Sequence, residues 1–499
     1  MVLKYTANYI NKNYGKDIFF FCALSVFFLI SLGSLPADPD LWGYLAFGKL
    51  FWTLPGYPYV DVFSYLPVKP EWVYHEWLTG AIFYPIYNNF GDTGLQFLRY
   101  LLLLATLLVT FATARMRGAG TICAFVTLIL LGGYLKMGYS PVRAQIFTYL
   151  FFAIYLYLLE KVRLGKLRTG ILWLIPLQIA WTNLHGGYLA GIGLLFIYTA
   201  SAYITKASSR KILTAVLGLC LVSTLLNPYG LAYWVYTFEA VSMPRNEISE
   251  WWSIVKALQN GYGVIAIVWM LCSAVLVAII LLRQRKVTVY ELGVLGITFA
   301  LSVSSNRHII FFLLASCALV PTFVQELVPQ VPKLYKYKLP EIKYRSEMEI
   351  AMMFIFILSF SLFFTLSGSF RLNIPLCGGA SDEQKLCYPT GAVEYIKQKR
   401  ITGNILTLFE WGEYLIWETY PHCKIGLDGR YETVYPNWVC DKYFDFLNAR
   451  PGWSEFLKQF PPDMILLPAS RKVTSLIRKE GTWDIAMENS GSVLFIRKD

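Results

Sequence analysis

The chain is short of charge. Only 15% of its 499 residues are Asp, Glu, Lys or Arg, where ordinary soluble domains run near about a quarter. Acidic residues are the scarcer sign, 32 against 44 basic, and histidine occurs only four times. There is no internal repeat and no low-complexity tract. The lack of repeats removes the internal symmetry that is usual in transporters. No recognised metal-ligand spacing occurs either. The missing charge is concentrated in long uncharged windows, 18–37, 118–135, 169–205, 212–238, 257–282, 308–325 and 350–370. About 20 mostly apolar residues cross a bilayer core, and so many windows of this kind cannot all be core helices of a soluble protein.

What is present in quantity is apolar and aromatic: 56% and 17% of the chain. The window 169–205 holds 37 uncharged residues, too many for one helix and right for a hairpin that breaks at Asn183-Leu184-His185-Gly186-Gly187. Weaker spans fit 93–114, 144–159 and 288–305, and the short stretch 77–90 suits an interfacial or re-entrant helix. The expected count is about eleven spans. The first window is too long for a signal-peptide core and has no small-residue cleavage site after it, so it reads as a retained anchor.

Basic residues set the expected orientation. With the N-terminus inside, 20 Lys and Arg fall in cytoplasmic segments and 8 in outer ones before residue 368. The net charge of +12 is then a topology signal with contact to anionic membrane lipids, and gives no case for nucleic acid. An odd number of spans places the end of the chain outside. The expected class is therefore a polytopic α-helical membrane protein in the cell's inner (plasma) membrane, with residues 1–367 as the bundle and 368–499 as an extracytoplasmic domain. That last region alternates helix-like stretches (391–400, 411–420, 470–480) with apolar runs (404–409, 424–428, 464–468, 492–497), the pattern of a small α/β layer domain. Its four cysteines predict a disulfide on an oxidising side, with Cys377–Cys387 and Cys423–Cys440 favoured because each closes a short loop.

The first outer loop, 37–92, is long and dense in Trp, Tyr and Phe, so one or two amphipathic helices lying on the outer leaflet are expected. Polar motifs gather at the same face: Asp38-Pro39-Asp40-Leu41-Trp42, His75-Glu76-Trp77, Arg143 in Ser140–Gln145, His185, Asn227-Pro228-Tyr229-Gly230 and Asn306-Arg307-His308. Ionisable groups at a membrane boundary tend to line functional cavities. Each motif also has a plain structural reading. Asp38 and Asp40 could mark a wet helix end, His75 and Glu76 an interfacial pair, Arg143 and Arg307 snorkelling anchors. His185 could be a packed hairpin residue, and the Asn-Pro-Tyr-Gly segment a turn. Their common side favours a cavity suited to transfer from a phosphate leaving group. In it Asp40 or Asp38 would act as general base, and Arg307, Arg143 and His308 would bind the donor phosphate. His75, Glu76, His185 and Trp42 would line the cavity. Asp38 and Asp40 could instead hold a divalent ion such as Mg²⁺ or Mn²⁺.

The layout resembles the GT-C superfamily of integral-membrane glycosyltransferases, which includes protein O-mannosyltransferases, aminoarabinose transferases and oligosaccharyltransferases. The resemblance rests on Asp38-Pro39-Asp40-Leu41-Trp42 directly after the first span, with Asp61-Val62-Phe63-Ser64-Tyr65 and His75-Glu76-Trp77. In the last region it rests on Glu410-Trp411-Gly412-Glu413-Tyr414-Leu415 and Gly426-Leu427-Asp428-Gly429-Arg430. It implies a polyprenyl-phosphate sugar donor, an acceptor that the sequence does not identify, and a catalytic carboxylate at Asp38 or Asp40. A second-loop acidic pair like that of oligosaccharyltransferases is lacking, which weakens a metal requirement. The competing expectations are a transporter or flippase of a lipid-linked substrate, and a glycan polymerase or ligase. For Asp428-Gly429-Arg430 the alternatives are a turn held by a local ion pair and a contact to the acceptor.

Overall fold

The computed structural model describes residues 15, 17–29, 32, 36–167, 169–243, 245, 247–284, 287–327, 372–378 and 386–498. The expected span 350–370 and most of the loop 326–347 lie outside them. Within the described residues, five helices are long and apolar enough to cross a membrane: Trp77–Met116, Gln145–Arg163, Gly186–Ile204, Val264–Leu282 and Asn306–Leu327. Asp17–Leu29, Thr121–Gly132 and Val289–Ser304 are shorter apolar helices.

The hairpin in 169–205 forms as the spacing predicts. Helix Leu174–Leu184 ends at His185, whose backbone is extended, and Leu189–Ile204 follows after a single turn. The window 212–238 behaves differently. It splits into Arg210–Ser223 and Leu231–Ser242 across Asn227-Pro228-Tyr229-Gly230, so it is not one span. Asn227 Oδ1 accepts from the Tyr229 amide, a turn bond that competes with helix continuation. The stretch 77–90 does form a helix. It runs on into the following span through a break at Gly91, where φ is +57°, a value that costs glycine little and other residues much.

The first loop departs from its expected place. Helix Pro39–Thr53 does not lie on a surface: Leu41, Trp42, Tyr44, Leu45, Phe47 and Leu50 are all buried. One side packs on the helix starting at Trp77, where Gly48 and Gly80 let the two backbones meet. The other side packs on helix Gly412–Thr419 of the C-terminal region. The aromatics serve as a core between two layers, which a count of aromatic residues does not separate from a headgroup belt.

The C-terminal residues form the expected α/β layer. A two-stranded ribbon, β1 (Cys377–Gly378) and β2 (Leu386–Cys387), carries the Cys377–Cys387 disulfide. A five-stranded sheet follows, with β3 (Gly403–Thr407), β4 (Cys423–Ile425), β5 (Met464–Leu467), β6 (Trp483–Glu488) and β7 (Val493–Arg497) in the order β4-β3-β5-β7-β6. Strands β3, β4 and β5 are parallel, and β7 is antiparallel to β5 and β6. The expected Cys423–Cys440 bridge is absent. Both are free, buried thiols, Cys423 on β4 and Cys440 on helix Asn437–Leu447, so loop length alone misjudged the pair.

The sheet does not end at β4. The Ile425 amide donates to Phe63 O at 2.9 Å and the Tyr65 amide donates to Ile425 O at 3.3 Å, with Ser64 and Ile425 bridged in parallel. Residues 63–65 of the first loop thus extend the sheet of the C-terminal region by backbone pairing. Beside this seam Arg430, almost wholly buried, is bound by Asp428 from its own turn and by Asp61 from the loop. The local ion pair read from the sequence exists, and its second partner ties the two regions together. A buried guanidinium stripped of one such partner costs about 3–5 kcal/mol.

Candidate active site

The Asp-Pro-Asp motif is first of all a helix start. Asp38 is the N-cap, its Oδ1 accepting from the Asp40 amide at 3.1 Å, and Pro39 occupies the first helical position, where its missing N–H costs nothing. This geometry sets Asp38 and Asp40 side by side, facing the loop before helix Gln145–Arg163. Arg143, on that loop, reaches both. Its Nε lies 3.2 Å from Asp38 Oδ2, its Nη2 donates to Asp40 Oδ2 at 2.9 Å, and its Nη1 donates to Glu250 Oε1 at 2.5 Å. One guanidinium therefore answers three carboxylates. Burial pushes the Asp38 and Asp40 carboxyls up, against the pull of Arg143, whereas Arg143 and Arg307 outweigh burial at Glu250 and hold it low.

Arg143 is thus committed to carboxylates, not held open for a phosphate. It also stands where a cation between Asp38, Asp40 and Glu250 would stand. Among the described residues no three His, Cys, Asp or Glu side chains are grouped so as to hold a metal ion. As arranged, this donor set does not fit Mg²⁺ or Mn²⁺.

A second group lies beside the first. Glu76 Oε1 is 3.5 Å from His75 Nε2 and 3.4 Å from His185 Nε2. The Gly187 amide donates to His185 Nδ1 at 2.9 Å, so that nitrogen carries no proton and Nε2–H points at Glu76. Thr148 Oγ1 is 2.8 Å from the same Nδ1 and itself accepts from Trp181 Nε1. Burial works against the Glu76 charge, but the two histidines and Tyr44 outweigh it and bring its pKa to about 2. Burial drives His185 the other way, to about 3 despite Glu76. The interfacial-pair reading of His75 and Glu76 and the packed-hairpin reading of His185 each miss that the three form one cluster.

Arg307 and Arg245 approach the ring of Trp251, with their guanidinium carbons 4.4 and 4.3 Å from its centroid. Arg245 is also paired to Glu432 at 2.8 Å. Arg307 has no carboxylate within ion-pair distance among the described residues. His308 follows it and faces Trp251 and Phe311. These residues line one cavity of about 960 Å³ with Asp38, Asp40, Glu76, His75, Arg143 and His185. Leu189, Leu194, Ile197, Ile297 and Leu301 line it from helices Leu189–Ile204 and Val289–Ser304, and Glu410, Glu413, Tyr431 and Arg471 from the C-terminal region. Charged groups and an apolar wall meet in a single volume.

Trp42 is not among the lining residues. It points away from the cavity, edge-on to Tyr414 and Tyr388 at 5.2 and 5.9 Å, and wedges the first-loop helix against the C-terminal region. The sequence reading missed Glu250, Trp251, Arg245 and Glu413. No local pattern marks them. Glu413 was in view only as part of Glu410–Leu415.

No family model and no curated protein matches the chain. Several solved structures are similar to it, among them the following two. The oligosaccharyltransferase of Archaeoglobus fulgidus, tethered to an acceptor peptide containing the NVT sequon, aligns over 96% of this chain and 74% of its own, with TM-score 0.49 and 10% identity. ArnT from Cupriavidus metallidurans, bound to undecaprenyl phosphate, aligns over 95% of this chain and 97% of its own, with TM-score 0.50 and 12% identity. The second likeness, end to end on both chains, shows the architecture: this chain shares the fold of ArnT, the GT-C fold.

Proposed function

We propose that the protein transfers a sugar from a polyprenyl-phosphate donor to an acceptor hydroxyl at the outer face of the plasma membrane. The observation that carries this reading is the shared cavity, in which paired aspartates, an arginine without a carboxylate partner among the described residues and an apolar wall meet. The ArnT neighbour is bound to undecaprenyl phosphate, a ligand whose charged head and apolar tail match those two surfaces. The Cys377–Cys387 disulfide agrees with an oxidising side for the C-terminal region.

In this reading the prenyl chain lies against Leu189, Leu194, Ile197, Ile297 and Leu301, and the phosphate is bound by Arg307 with His308 beside it. The acceptor oxygen attacks the anomeric carbon, its proton passes to Asp40, and the bond from that carbon to the phosphate oxygen breaks with its electron pair on the phosphate. Arg307 meets the charge that appears there. Burial raises the Asp40 carboxyl and so makes it a better proton acceptor near neutral pH. Asp38 and Arg143 fix where Asp40 points. Glu76, tied to two histidines, supplies a fixed negative charge that favours developing positive charge on the sugar.

The test is the purified full-length protein in detergent, examined by native mass spectrometry and offered a panel of polyprenyl-phosphate monosaccharides. Bound polyprenyl phosphate, and its release from a donor sugar, are the expected results. Neither binding nor release across the panel would reject the reading.

A further inference from the structure

Two carboxyls of the cavity, Glu410 and Glu413, have no cation within ion-pair distance among the described residues, and Glu413 is the one beside Asp40. It stands on the first turn of helix Gly412–Thr419 and is 3% exposed. Its Oε2 accepts from the Gly43 amide at 3.0 Å, one turn into the helix that begins at Asp38-Pro39-Asp40. Gly43 makes this approach possible: a Cβ there would lie 2.3 Å from the same oxygen. The other oxygen, Oε1, faces Gly429. A Cβ on Gly429 would meet Glu413 Oε1 at 2.9 Å and Asp40 Oδ1 at 3.2 Å, so the two carboxyls flank one point.

Every charged or titratable group facing Glu413 argues against ionisation or is otherwise engaged. Asp40 approaches from the first-loop helix, and Asp428 from the turn after β4. Tyr74 and Tyr388 are neutral neighbours. Arg430 is nearby, but its donors go to Asp428 and Asp61. A buried carboxylate with one backbone donor, two carboxylate neighbours and no cation of its own is unfavourable. A protonated carboxyl accepts from Gly43 equally well and has an O–H to offer toward Asp40.

We propose that Glu413, delivered by the C-terminal region, is a positioning residue for Asp40 and works as a proton-bearing carboxyl. This rests on the reading of Asp40 as the base and goes beyond it by giving the C-terminal region a part in the chemistry. The region closes the cavity, and it also supplies the group that orients the base and keeps its charge single. Ionisation of Glu413 would place a negative charge without a cation of its own beside Asp40, so turnover falls at alkaline pH as that proton is lost.

The experiment uses the full-length protein in detergent and has two independent arms. In the infrared spectrum near neutral pH, wild type and Asp40→Asn should both show a protonated-carboxyl band that shifts in deuterium oxide and is missing in Glu413→Gln. If Glu413→Gln leaves the band intact, the proposal is overturned whatever the enzyme does. In the kinetic arm, release of polyprenyl phosphate from the donor panel is followed against pH. Glu413→Ala should lower kcat about ten- to a hundredfold, the value of a hydrogen bond to a charged group, with donor KM little changed. Gly43→Ala should reproduce that loss by displacing the side chain. Glu413→Gln, which keeps a donor, should restore much of the loss and abolish the alkaline fall. Equal losses in Glu413→Ala and Glu413→Gln, with the alkaline fall kept, would also overturn the proposal. Wild-type turnover by Asp40→Asn would sink the base assignment and with it the positioning role, while leaving the infrared result to stand on its own.

Discussion

Two buried charge clusters sit at opposite ends of the same helices, and they are built on different arithmetic. At one end Arg117 and Arg163 meet Glu160 and Glu291. Arg117 binds both glutamates, Arg163 donates to Glu160 at 2.8 and 2.7 Å, and Tyr198 donates to Glu160 as well. Two cations face two anions. At the other end Arg143 faces Asp38, Asp40 and Glu250, while among the described residues Glu413 has no cation and Arg307 no anion within ion-pair distance. The first cluster is complete without a ligand. The second keeps charges of both signs unanswered around about 960 Å³ of space. Buried charge is costly in either setting. A balanced set can be explained as a fastening of four helices, whereas an unbalanced one beside a cavity points to what enters it.

Exchanging the effects of mutation between the two ends would break this comparison. Asp40→Asn should lower turnover about 10²–10⁴-fold, the range for a positioned general base, with little change in thermal stability. Glu160→Gln should do the reverse. Stripping a partner from a buried ion pair costs about 3–5 kcal/mol, while the folded fraction should turn over at the wild-type rate. Melting curves and donor turnover on matched preparations measure both, and loss of activity without loss of stability in Glu160→Gln would end the distinction.

A smaller effect separates the members of the unbalanced cluster. Arg307→Ala should raise donor KM by about ten- to a hundredfold, the worth of one or two charge-assisted bonds to phosphate, with kcat changed less. Arg307→Lys should recover part of it. An unchanged KM would remove Arg307 from the phosphate.

The smallest effect is on pH and stability. Burial holds His185 down to about 3 in the folded chain, against about 6.5 when unfolded. Its contribution is fully present above about pH 6.5 and is lost as the pH falls toward 3, because the unfolded chain then binds the extra proton. The Glu76 contribution is lost only lower, between about 4.5 and 2. The slope of melting temperature between pH 6.5 and 5 should therefore flatten in His185→Asn. Tyr198→Phe, at the balanced end, should leave that slope as it is.

Much of the fold can be read from the sequence, for reasons that differ by region. Asp38-Pro39-Asp40 carries its own helix-start chemistry, and His185-Gly186-Gly187 breaks a window too long for one helix. Four of the five strands of the larger sheet coincide with apolar runs. The fifth, β6, is an edge strand with exposed Asp484, Ile485 and Glu488, so no apolar run announces it. The site was legible as a set of motifs sharing one end of the bundle. Its tertiary partners were not, because Glu413 meets Gly43 across 370 residues of sequence and Glu250 meets Arg143 across 107. Such contacts leave no periodic trace. Trp42 was misassigned to the cavity because adjacency in sequence to Asp40 says little about direction on a helix, where successive residues face different ways.

The pairing of residues 63–65 with Ile425 also orders events in time. The early segment leaves the ribosome long before β4 exists, and its backbone groups wait for a partner through the synthesis of the whole bundle. A chain interrupted before residue 423 therefore carries every helix described here up to Leu327, yet has an open strand edge, a half-built cavity wall and an Asp61 without its arginine.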